Sequence, residues 1–152
     1  MKRRNLVLAL AALPLARATR AMSTGPAIHV YKDPSCGCCG KWVEHLEAAG
    51  FSVTVKAVES TSVMRRRLRM PQEYGACHTA TINGYVLEGH VPAEEVKRLL
   101  ATRPAAVGLS VPGMPVGSPG MEVGDREDPY EVLLVDGAGK ATVFARYPKS
   151  NS

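Results

Sequence analysis

Asp33-Pro34-Ser35-Cys36-Gly37-Cys38-Cys39-Gly40 puts three of the chain's four cysteines within four positions, and the fourth, Cys77, stands directly before His78. Cysteines scattered through a sequence serve as small core hydrophobes. Cysteines gathered like this point to thiol or metal chemistry.

The flanks of this stretch set its structural context. Ala27 to Lys32 alternates, with Ile28, Val30 and Tyr31, and Asp33-Pro34 ends it, which predicts a strand. Beyond the cysteines, Trp42, Val43, Leu46 and Ala49 recur at helical spacing, and Gly50 suits a helix C-terminus. The cysteines are therefore expected where a first strand hands over to a first helix.

Further on, Phe51, Val53, Val55 and Ala57 alternate as a second strand, and Ser60-Thr61-Ser62 offers an N-cap for a helix that ends before Pro71. Thr79 to Ile82 and Tyr85 to Leu87 flank Asn83-Gly84, a strong hairpin signal. Pro92 to Thr102 reads as a third helix with Val96, Leu99 and Leu100 on its buried face. This order predicts an α/β fold, a thioredoxin-like mixed sheet with flanking helices. Arg103 to Pro129, with five prolines and five glycines, reads as one long functional or mobile loop. Tyr130 to Val135 and Ala141 to Tyr147 then form a C-terminal β-hairpin extension.

The N-terminus carries Lys2, Arg3 and Arg4, an apolar run from Leu6 to Leu13, and small residues at Ala16, Ala18 and Ala21, the layout of a signal peptide over residues 1–21. Residues 22–152 are then one domain exported to the periplasm, without a stable membrane anchor once the signal is removed. Arg3-Arg4 also admits a twin-arginine signal beside ordinary secretion. Removing the five basic residues of this segment leaves 14 basic against 14 acidic residues, so a nucleic-acid role has no support in composition. Arg65, Arg66, Arg67 and Arg69 read as a solvated helix face.

Cys36 and Cys39 form a Cys-x-x-Cys pair at the expected helix N-terminus, where unpaired N–H groups and the macrodipole favour thiolate. Here the chain resembles the thioredoxin and glutaredoxin superfamily. Thr79-Ala80-Thr81-Ile82-Asn83-Gly84 and Gly89 resemble that family's hairpin and following glycine. The family carries a cis-proline just before this strand, packed against the dithiol. At that position this chain has His78, preceded by Cys77, and both offer an electron pair where a proline ring offers none.

Vicinal Cys38 and Cys39 are poorly placed to point both sulfurs at one tetrahedral ion, since structural zinc sites space their ligands by two or more residues. They suit bridging between ions of a thiolate cluster, and soft thiolates favour Cu(I). Met114 and Met121 in the long loop add thioether candidates for Cu(I), although methionine also fills core gaps. His90 is a further candidate ligand. His45, beside Glu44 and Glu47, reads as a solvated helix residue.

More narrowly, Tyr31 to Trp42, Ala76-Cys77-His78-Thr79, Glu88-Gly89-His90-Val91-Pro92 and Gly108 to Met121 together resemble the CopG-type copper-resistance proteins, periplasmic metal-binding proteins long carried as a domain of unknown function. The resemblance implies that Cys36, Cys38, Cys39 and Cys77 hold copper and assist a Cu(I)/Cu(II) change. Expected partners are copper ions and a copper export or delivery protein.

Two other readings compete. Four exported cysteines could form two structural disulfides, although a bridge from Cys36 to Cys39 closes too short a loop to constrain the unfolded chain much. Alternatively the pair serves a thiol-disulfide oxidoreductase, Cys36 as nucleophile and Cys39 as resolving thiol.

Overall fold

The computed structural model describes residues 25–149. The expected signal peptide lies outside the described residues. Seven strands and three α-helices follow in the order β1 (Ala27–Lys32), α1 (Cys38–Ala48), β2 (Ser52–Ala57), α2 (Thr61–Arg67), β3 (His78–Ile82), β4 (Tyr85–Glu88), α3 (Ala93–Thr102), β5 (Gly108–Ser110), β6 (Tyr130–Val135) and β7 (Ala141–Tyr147), with a 3₁₀ turn at Gln72–Tyr74.

All seven strands join one mixed sheet in the order β2-β1-β3-β4-β5-β6-β7. The crossover through α1 makes β1 and β2 parallel, whereas β3 returns antiparallel to β1 and the two-residue turn makes β4 antiparallel to β3. This arrangement is consistent with a thioredoxin-like α/β fold. The C-terminal hairpin is not a separate appendage, because β5 pairs with both β4 and β6 and so carries the sheet across to it.

Local chemistry accounts for the element boundaries. Asn83 and Gly84 both take positive φ, 45° and 84°, as a tight hairpin turn requires. Ser60 caps α2 by accepting from the Val63 N–H, and Gly50, at φ 98°, lets the chain leave α1. Ile28 and Val30 of β1 pack with Trp42 and Leu46 of α1, with Ala80, Ile82 and Leu87 of the hairpin, and with Val96 and Leu99 of α3. Each fully buried valine, leucine or isoleucine of this set contributes about 1.5–3 kcal/mol.

Two expectations need correction. The stretch from Arg103 to Pro129 is not a continuous loop, since Gly108–Ser110 is a strand. At three residues, all buried, it shows no alternation to betray it. Arg65 does not belong to a solvated face. It is buried and ion-paired to Glu88 at 2.7 Å, while Arg66, Arg67 and Arg69 are exposed as expected.

Candidate metal centre

The antiparallel register of β1 and β3 sets Lys32 opposite His78. Consequently the end of β1, from which the chain enters the cysteine loop, lies beside the start of β3, which Cys77 precedes. The β3–β4 hairpin then sets Thr79 opposite Glu88, and the Gly89 N–H donates to the His78 carbonyl at 3.0 Å, so that His90 passes the same spot. Residues far apart in sequence thus converge at the head of α1.

Two groups of donor atoms lie within 4.8 Å of one another: Cys36, Cys38, Cys39 and Cys77, and Cys77, His78 and His90. Cys77 belongs to both. Its sulfur is 3.8 Å from Cys39 Sγ, 3.2 Å from His78 Nδ1 and 3.3 Å from His90 Nε2. His78 Nδ1 is also 3.3 Å from Cys39 Sγ, and Cys38 Sγ is 3.6 Å from Cys36 Sγ. Cys77, 38 positions from Cys39 in the chain, thus lies beside the cysteine loop in space.

Cys36 and Cys39 are joined by a disulfide, and Cys38 and Cys77 are free. The cysteines therefore do not form two structural bridges, and the oxidised pair is the one at the helix N-terminus.

The loop after β5 closes over the cluster. The Gly113 N–H donates to the Gly75 carbonyl at 3.0 Å, which brings Met114 near the segment leading to Cys77. At the loop's other end the Pro119 carbonyl lies 2.8 Å from His90 Nδ1. Gly120, at φ 87°, packs so closely on α1 that a Cβ there would sit 2.7 Å from the Trp42 nitrogen and 3.2 Å from the Cys38 carbonyl oxygen. Met121 follows directly. Met114 is 52% exposed and Met121 half-buried, and the two stand at opposite ends of this loop. Hydrogen bonds within the loop, from Gly117 N–H to the Met121 carbonyl and from Met121 N–H to the Ser118 carbonyl, hold its shape.

His45 stands apart from both groups. Its Nε2 accepts from the N–H of Ala93, the first residue of α3, at 3.0 Å, so it is a structural link between helices rather than a purely solvated side chain.

The family model described as "Protein of unknown function, DUF411" matches residues 74–121. Two solved structures, titled "Copper resistance protein copG- Form 2" and "Copper resistance protein copG- Form 1", are each 49% identical to the chain with a TM-score of 0.78, covering 82% of this chain and 99% of theirs. The chain belongs to the CopG family. A comparison with the curated proteins gave no match.

In this CopG-family chain the electrostatics of the centre favour neutral nitrogen donors. Burial, followed by the neighbouring His90, lowers the His78 pKa to about 3. Burial also lowers His90, against the pull of the Pro119 carbonyl and Glu122. Because a carbonyl only accepts, His90 carries its proton on Nδ1 and turns the Nε2 lone pair to Cys77, the tautomer that a second-shell carbonyl selects in metal sites. His78 Nε2 is buried without a hydrogen-bond partner among the described residues.

Burial pushes the Cys77 thiol up to about 12, and the nearby Cys38 adds to the shift. Closely spaced sulfurs cannot all be thiolate without a cation to replace their protons, so metal capture here releases protons. Soft sulfur donors backed by imidazoles suit a soft or borderline ion.

Sequence reading missed the support beneath the centre. Glu88, fully buried, accepts from the Ala76 N–H at 2.7 Å and the Thr79 hydroxyl at 2.6 Å and pairs with Arg65. Burial pushes its carboxyl above the ordinary range, against the pull of those three donors. The available signal was a lone acid ending the apolar run Tyr85-Val86-Leu87. The Trp42 ring also lies against His78, centroids 4.3 Å apart and planes tilted by 37°, while its N–H donates to the Val91 carbonyl.

Proposed function

We propose that this chain is a periplasmic copper-binding protein that holds Cu(I) in a multinuclear thiolate site, serving copper resistance or homeostasis. The observation that carries this reading is the convergence of four cysteine sulfurs on one spot, with Cys77 shared with two imidazoles. The names of the two related structures support copper as the cargo.

The metal-ligand assignment is Cys36, Cys38, Cys39 and Cys77, then His78 and His90, with Met114 and Met121 supplied by the loop. Thiol–disulfide exchange with an external dithiol, which is itself oxidised to a disulfide as it passes two electrons and two protons to the Cys36–Cys39 bond, frees both sulfurs, and adjacent Cys38 and Cys39 then bridge neighbouring ions rather than chelate one. A Cu(I)/Cu(II) change belongs to this reading, as does a copper export or delivery protein as partner. Export to the periplasm rests on residues 1–21, read as a signal peptide. Among the described residues no helix is long and apolar enough to cross a membrane.

Anaerobic Cu(I) titration of the reduced protein, with metal analysis and X-ray absorption, tests the proposal. Sulfur-dominated coordination with metal–metal scattering is expected, and Cys36→Ser and Cys39→Ser each lower the copper content. Unchanged copper content in both variants would sink the assignment.

The disulfide at the head of α1 favours a second reading, a thiol-disulfide oxidoreductase working through Cys36 and Cys39. The Cys77-His78 pair in place of proline weighs against it. Rapid reduction of insulin disulfides by a protein that takes up no copper would select this reading.

A further inference from the structure

A proline at the start of β3 would set the backbone dihedral there by its own ring. This chain has Cys77-His78 instead, so something else must hold those two donors in place. Glu88 is suitably positioned. One oxygen accepts from the Ala76 N–H at 2.7 Å and the other from the Thr79 hydroxyl at 2.6 Å, so a single carboxylate grips the residue on either side of the Cys77-His78 pair.

Arg65 completes the clamp. Its guanidinium lies 2.7 Å from Glu88, donates to the Ala76 carbonyl at 2.8 Å and reaches Gln72 Oε1 at 2.9 Å. The space it occupies exists because residue 75 is glycine, where a Cβ would fall 2.7 Å from the Arg65 Nη1 atom. On the other side a Cβ at Gly89 would lie 2.6 Å from that of Ala76. Glu88 also precedes His90 by two residues, so the clamp ties together the segments that carry all three members of the Cys77, His78 and His90 group. A buried ion pair is by itself weak evidence for stability.

We propose that Glu88, held by Arg65, is a positioning residue that sets Cys77 and His78 for metal capture. The inference rests on the copper reading above, and one arm of its test is independent of copper. In the disulfide-intact, metal-free protein Cys38 and Cys77 are the free thiols, and their alkylation by iodoacetamide can be followed separately by peptide mass mapping. Glu88→Gln, which keeps the shape and removes the charge, and Thr79→Val, which leaves the charge in place, are each expected to raise the Cys77 rate several-fold relative to Cys38. Leu99→Ala, a core truncation in α3 remote from the clamp, is expected to lower the melting temperature and leave that ratio unchanged.

In the reduced protein, Glu88→Gln is expected to weaken Cu(I) retention against bathocuproine disulfonate by about tenfold, the usual scale for losing an outer-shell support. Should Glu88→Gln fail to fold, Thr79→Val, which spares the ion pair, carries the same measurements. An unchanged Cys77 to Cys38 ratio in the folded variant, or an equal rise in Leu99→Ala, overturns the positioning role. A wild-type protein that takes no Cu(I) overturns the copper reading instead, and the alkylation ratio then decides Glu88 by itself.

Discussion

His90 holds its Nε2 atom 3.3 Å from the Cys77 sulfur while its other ring nitrogen is tied to the Pro119 carbonyl at 2.8 Å. That one ring joins the end of the β3–β4 hairpin, the segment before β3 and the loop after β5. A histidine so tethered loses little freedom when it binds a metal, because its tautomer and direction are already chosen.

Cys77 belongs to both donor groups, whereas Cys38 belongs only to the all-sulfur one. Cys77→Ser should therefore remove more copper than Cys38→Ser, and should strip nitrogen as well as sulfur from the coordination shell. Metal analysis and X-ray absorption on anaerobically loaded variants check this; equal losses with an intact nitrogen shell would contradict it.

Trp42 is the single tryptophan of the chain, and its ring lies 4.3 Å from that of His78. Copper loading is expected to quench most of its fluorescence, the titration breaking at the stoichiometric point. Emission that persists in protein shown by metal analysis to be loaded would place the metal away from His78.

His45 links α1 to α3 by accepting the Ala93 N–H, which a protonated ring cannot do. Burial holds its pKa below the ordinary 6.5, against the upward pull of Glu122 and Glu94. The unfolded chain therefore takes up this proton more readily than the folded one. The contribution is complete above 6.5 and declines as pH falls through that value. His45→Gln keeps an acceptor and does not titrate, so the melting temperature of the metal-free variant should fall less than that of wild type between about pH 7.5 and 5.5. Parallel falls would disprove the assignment.

Gly120 combines a φ of 87° with contact against the backbone of α1. Gly120→Ala should cost about 1–3 kcal/mol, the scale for a non-glycine residue forced into left-handed backbone, with the steric contact added. Denaturant unfolding measures the loss, and a variant as stable as wild type would show that the loop does not need this close approach.

Much of the fold was legible because its elements announce themselves locally. Period-two alternation marked β1 and β2, Asn83-Gly84 marked the hairpin, and Ser60 and Gly50 marked helix ends. β5 was not legible, since three buried residues carry no periodicity. Arg65 was misread for a related reason: it stands among three exposed arginines, and nothing local distinguishes the one whose partner lies on β4.

The candidate site divides the same way. Residue type and spacing mark Cys36, Cys38, Cys39, Cys77, His78 and His90 for thiol or metal chemistry, with Met114 and Met121 in the loop, and the resemblance adds the ligand role of the four cysteines. Their convergence, the tether on His90 and the clamp on Cys77-His78 all depend on strand register, which is set by the whole hydrophobic pattern and not by any one segment.

From composition and pattern alone come the donor set, its softness, and its place at the junction of a first strand and a first helix, because these are properties of residue types and short-range spacing. The folded structure alone decided which cysteines are bonded, which histidine faces Cys77, and that a buried Glu88 underlies the site. Those facts depend on distances across the sheet, and antiparallel pairing of β1 with β3 and of β3 with β4 brings together side chains that no local spacing connects.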